Sequence, residues 1–209
     1  MEKSMNEVDL KKMEQQTYRE SMQDGLTEIF LGILLVGMGV LFAVKSFSPA
    51  IFACFVIFFF PRIVERLKRR YTYPRIGYAK LHVDPPKKIV SGIFSYMIIV
   101  AVVLVVALFI IFGDVSADLW YKWLPTFMGA MLMGAFTYVA GKSGDSRNYG
   151  IGVFGLATGV VFSVYGFESM WTGLELYLLF MGSCFVGLGI VRFVYFLRKY
   201  PVLEEVTDE

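Results

Sequence analysis

Residues 61–88 read PRIVERLKRRYTYPRIGYAKLHVDPPKK, and the orientation of the whole chain follows from this stretch. Nine cations (Arg62, Arg66, Lys68, Arg69, Arg70, Arg75, Lys80, Lys87 and Lys88) face two acids, Glu65 and Asp84, for a local charge of +7 with His82 neutral. Apolar runs flank it on both sides, Ala50 to Val64 before and Ile89 to Phe112 after. A basic segment between two apolar runs marks a loop retained on the cytoplasmic side of a membrane, because Lys and Arg are held there during insertion.

Outward from this loop, apolar runs recur. A spanning helix needs about 20 mostly apolar residues to cross roughly 30 Å of hydrocarbon, and it must satisfy its own backbone hydrogen bonds there. Six segments qualify, near 26–44, 50–64, 89–112, 124–140, 149–167 and 174–191. The second is short and interrupted by Pro61 and Arg62, which would also suit a re-entrant or tilted element. Charge decides for a crossing. With six spans, 18 of the 20 Lys and Arg fall on one side, and only Lys45 and Lys122 on the other. Trp120, Trp123 and Trp171 fall at the opposite ends of the spans, at the headgroup level that indoles favour.

The expected fold is therefore an all-α integral membrane protein, a bundle of six transmembrane helices with both termini cytoplasmic. A cytoplasmic segment 1–23 precedes the transmembrane domain 24–197, which includes the basic loop 62–88, and an acidic cytoplasmic tail 198–209 follows. The cell membrane is the expected location, with multiple passes. Composition agrees, since 56% apolar residues and 20 Phe in 209 positions exceed what a water-soluble core of this size hides. The acidic, charge-mixed leader has no signal-peptide pattern, so the first span is the expected insertion signal.

Two weaker patterns run through the spans. A shift of 127 residues lays Gly25, Gly32 and Gly39 on Gly152, Gly159 and Gly166, and Ile63, Val64, Tyr73 and Pro74 on Ile190, Val191, Tyr200 and Pro201. This would relate spans one and two to spans five and six as a parallel repeat. Glycines seven apart return to one helix face, so each lane is expected at a close helix contact. Cys54 and Cys184 lie within spans, where free thiols pack as small hydrophobes.

Within the basic loop, the start reads as a helical extension of span two stopped near Pro74, and 78–84 alternates as a short strand does. Arg69, Arg70, Arg75 and Lys80 interleave with Tyr71, Tyr73 and Tyr78. Charge-assisted bonds and ring contacts from Arg69, Arg70, Tyr73, Arg75 and Lys80 would suit an anionic headgroup or a phosphate. The plain alternative is an orientation signal that touches headgroups without selectivity.

Ionisable groups inside spans are costly and mark function by default. Asp24 and Glu28 share a face of span one at i, i+4 and could hold a cation or a proton. The plain alternative is a helix start, with Asp24 as N-cap and Glu28 near the positive dipole end. Arg192, at the inner end of span six, is expected to snorkel to the surface.

No enzyme motif is complete. Gly141, Lys142, Ser143 and Gly144 resemble the GxSG of intramembrane serine proteases, but the only histidine, His82, lies in the basic loop. The same string lacks the P-loop glycine, since position 136 is Phe. No catalytic or metal-ligating set is expected, and no cofactor. The expected function is non-enzymatic, either a small-solute transport or permeation component or a lipid- and partner-binding membrane scaffold. The other class is a membrane enzyme acting on a lipid or isoprenoid phosphate through Arg69, Arg70, Arg75, Tyr73 and His82. Expected partners are anionic membrane lipids, a second copy of the chain or another membrane protein, and not nucleic acid.

Overall fold

The computed structural model describes residues 19, 23–44, 59, 62–76, 86–113, 116–165, 167 and 171–201. It is 91% helical, with no strand among the described residues. Most of span two, Cys54, and 78–84 with its expected strand lie outside them. The helices are α1 (Leu26–Val44), α2 (62–76), α3 (Pro86–Phe112), α4 (Ala117–Lys122), α5 (Leu124–Ser143), α6 (Arg147–Tyr165) and α7 (Thr172–Lys199). Five of these, α1, α3, α5, α6 and α7, are long and apolar enough to cross a membrane.

Exposure makes the same point from the surface. Of the described side chains of α3, Leu108 alone is buried, while Phe94, Val103, Phe109 and Ile110 are more than 60% exposed. A helix apolar on every face and bare on most of them is solvated by hydrocarbon and not by water.

The helices fall into two groups, one drawn from Met1–Leu81 and Phe180–Glu209, the other from His82–Leu179. In the second group α5 and α6 form a tight antiparallel hairpin. Gly144 closes α5 at φ 65°, the left-handed conformation that glycine adopts without penalty. Ser143 Oγ accepts from Asp145 N–H and from Asn148 Nδ2, so the Gly141–Gly144 string is the hinge of this hairpin. Small residues then let the backbones meet. A Cβ on Gly129 would lie 2.6 Å from Gly155 O, and one on Gly152 3.1 Å from Met133 Cα. Ser163 Oγ on α6 accepts from both N–H and Oγ1 of Thr126, satisfying an otherwise orphan donor in the first turn of α5.

Tyr96 ties α3 to α5 by donating to Ala130 O at 2.8 Å, and Tyr177 ties the start of α7 to α6 by donating to Gly155 O at 3.2 Å. At the Trp-bearing end of this group, Phe112 meets Trp123, Trp120 meets Phe127 and Tyr121 meets Trp171, with ring centroids 4.8–6.2 Å apart. The indoles therefore gather at one level, as the interface preference of tryptophan requires.

In the first group α1 and α7 pack antiparallel along paired glycines. A Cβ on Gly32 would lie 2.6 Å from Gly182 O, and one on Gly25 2.5 Å from Gly189 O. The relation is reciprocal, since a Cβ on Gly182 or Gly189 would meet Gly32 O or Gly25 O at 2.8 and 2.9 Å. Gly25 and Gly32 of one lane and Gly152 and Gly159 of the other thus lie at helix contacts, yet they are not packed alike: the first two face α7, and the second two face α5. Residues matched by the 127-residue shift do not meet matched partners.

Candidate functional site

The ionisable groups of the first group converge where α1 begins, and local chemistry places each one. Gly25, at φ 69°, occupies the N-cap position of α1, its carbonyl accepting from Ile29 N–H. Asp24 stands one residue earlier than the N-cap expected for it and receives Leu26 N–H on Oδ1 at 3.2 Å, an Asx turn that feeds the chain into the helix. Glu28 follows one turn later, near the positive end of the helix dipole.

Helix α2 brings the second set. It runs through Pro74 to Ile76, beyond the stop expected near Pro74, and it does so by widening into a π turn over Lys68–Thr72. Pro74 has no N–H to give to the carbonyl four residues back, and its ring crowds that carbonyl; a wider turn upstream relieves both. Tyr73 N–H reaches Lys68 O, five residues back. In the wider turn residues four apart come nearer to eclipse, so Lys68 and Thr72 face the same way. Both are buried against Asp24.

Asp24 is fully buried and completely engaged. Thr72 Oγ1 donates to its Oδ2 at 2.9 Å, and Lys68 Nζ lies 3.7 Å from the same oxygen. Glu28 is engaged on one side only. Arg192 of α7 donates from Nη1 to Oε1, while Oε2 is buried without a hydrogen-bond partner among the described residues. Two carboxylates and two cations therefore neutralise one another at the junction of α1, α2 and α7. Asp24 and Glu28, expected to hold a cation or a proton, are met by Lys68 and Arg192. Arg192 does not simply snorkel, since its side chain is 28% exposed and paired.

Arg69, Arg70, Tyr73 and Arg75, the described residues of the five expected to bind a phosphate, each meet a group of the protein. Arg69 pairs with Glu65 one turn away at 3.1 Å, with two-thirds of its side chain exposed. Arg70 is exposed, with its guanidinium 5.6 Å from the centroid of the Tyr71 ring. Tyr73 donates to the other oxygen of Glu65 at 3.0 Å. Arg75 turns to α7 and donates to Leu197 O and Tyr200 O, closing the last turn of that helix where carbonyls lack partners and the dipole is negative. Lys80 and His82 lie outside the described residues. Tyr71 meets Phe193 edge to face at 6.0 Å, a further link from α2 to α7.

Sequence reasoning missed Lys68, Thr72 and the pairing of Arg192. A signal existed for the last, because Glu28 and Arg192 are oppositely charged groups set in apolar helices. Lys68 carried no such signal within a run of nine cations. Among the described residues no group of three His, Cys, Asp or Glu is placed to hold a metal ion. Comparison with known proteins identifies no relative: no protein-family model, no curated protein and no solved structure matches the chain.

Proposed function

We propose that the chain is a non-enzymatic, six-span protein of the cell membrane with both termini in the cytoplasm, and that it serves as a lipid- and partner-binding scaffold. The observation that carries the scaffold reading is the closure of charge inside the helix packing. Groups that line a solute path exchange partners with solute or water. Here Asp24 and Glu28 are each met by a cation of the protein, and the backbones beside them leave no room for a methyl group at Gly25 or Gly32.

The path of the chain supports the sixth crossing. Helix α1 has 19 residues, a rise of about 28 Å. Lys68 and Thr72 meet Asp24 at the end where α1 starts, an arrangement that a return crossing at 50–64 would account for. The 18 to 2 charge split then puts this end in the cytoplasm.

The test is flux. Purified protein in liposomes, probed with potassium, protons and glycerol, is expected to leak no faster than protein-free vesicles. Passage of any of these above that background would overturn the scaffold in favour of a transport or permeation component. Glu28 is the first residue to substitute in that event.

A further inference from the structure

The cations of α2 divide into two sets by position. Lys68 is buried on Asp24, and Arg75 is spent on the last carbonyls of α7. Arg62, Arg66, Arg69 and Arg70 are exposed. Their spacing, i, i+4, i+7 and i+8, puts them on one helix face. Lys68 and Thr72 mark the opposite face, so α2 is anchored through one side and basic on the other. Glu65 offsets one charge at the margin of that face through Arg69.

We propose that the face made by Arg62, Arg66, Arg69 and Arg70 is a docking surface for the anionic headgroups of the leaflet from which α2 emerges. The proposal rests on the cytoplasmic placement of this end of the protein. Three features favour a lipid surface over a soluble phosphate. The arginines lie in a row along about two turns of helix, which suits several headgroups in a plane better than one ligand. The residues that would close a pocket around one phosphate, Tyr73 and Arg75, are engaged elsewhere, with Glu65 and with α7. Phe59 and Ile63, at the start of the same segment, are 43% and 42% exposed, so apolar side chains adjoin the basic row as at a passage from hydrocarbon to headgroups.

The experiment uses the full chain in nanodiscs and in detergent. Binding of phosphatidylglycerol, against phosphatidylcholine as the neutral control, is measured for the parent, for Arg62→Gln/Arg66→Gln/Arg70→Gln and for Arg75→Gln. Each arginine removed from the face should weaken binding of the anionic lipid on the order of fivefold, with no loss of thermal stability. Arg75→Gln should lower stability and leave lipid binding within about twofold. Arg66→Lys, which keeps the charge, should bind as the parent does, and added salt should weaken binding throughout.

Parent-like lipid binding by the triple variant would overturn the proposal. So would displacement of the lipid by inorganic phosphate at matched ionic strength, which would mark a site for a soluble anion. A flux result that fails the scaffold reading would leave these binding outcomes unchanged, and external labelling of this face in intact cells would remove the cytoplasmic placement. The two failures are therefore distinguishable.

Discussion

Glu28 of α1 and Arg192 of α7 form an ion pair across the helix seam, 164 positions apart in sequence, with one carboxylate oxygen engaged and the other buried without a partner among the described residues. The pair sits beside the Gly25–Gly189 contact, where the two backbones touch. Charge and close packing therefore hold the same point of the seam.

Removing one member should cost far more than removing both. Glu28→Gln leaves Arg192 without its counter-charge, and Arg192→Gln does the converse; each is expected to destabilise by about 3 kcal/mol. The double variant Glu28→Gln/Arg192→Met should lie within about 1 kcal/mol of the parent. Thermal unfolding in detergent measures this, and simple addition of the two single losses would show that the pair is not coupled.

Thr72 tests the anchoring of α2. Thr72→Val keeps the shape and removes the hydroxyl that donates to buried Asp24, with an expected loss of about 1–2 kcal/mol. Thr72→Ser keeps the donor and should lose less. A limited-proteolysis time course across residues 62–76 should show faster cleavage for the valine variant, and equal rates would argue that Thr72 does not hold α2 in place.

The glycines separate into two kinds that sequence alone does not distinguish. Gly32→Leu and Gly182→Leu must drive a side chain into a facing backbone, and a loss of at least about 3 kcal/mol or failure to fold is expected. Gly187 on the same helix has open space where a Cβ would go, so Gly187→Ala should gain up to about 1 kcal/mol through helix propensity alone. Parent-like stability of Gly32→Leu would show that α1 and α7 are not in contact.

Topology has its own check. In a background with Cys54 and Cys184 replaced by Ala, a cysteine at Lys80 should react with an impermeant thiol reagent only after the cells are opened, and one at Lys122 should react in intact cells. Labelling of the Lys80 position from outside would invert the orientation.

How much of this was legible in the sequence depends on the range over which each signal acts. The apolar runs and the isolated acids Asp24 and Glu28 are local signals, and among the described residues five apolar helices and a charged junction stand where they indicated. The partners of those acids depend on which helix returns beside α1. Hydrophobic periodicity also cannot foresee the π turn at Lys68–Thr72, because a helix of constant pitch sets these two residues further apart around the axis. The same limit hides the partners of the loop residues: Arg69, Tyr73 and Arg75 are close in sequence, yet the helix sends two of them to Glu65 and the third to α7.

That π turn also sets the phase of the rest of α2. It amounts to one residue more than an α-helix would use over the same rise. Wound as regular α-helix, the same five residues would turn the remainder of α2 by about a quarter of a turn. Arg75 would then swing off the last carbonyls of α7. The winding of segment 68–72 thus carries information that its composition does not.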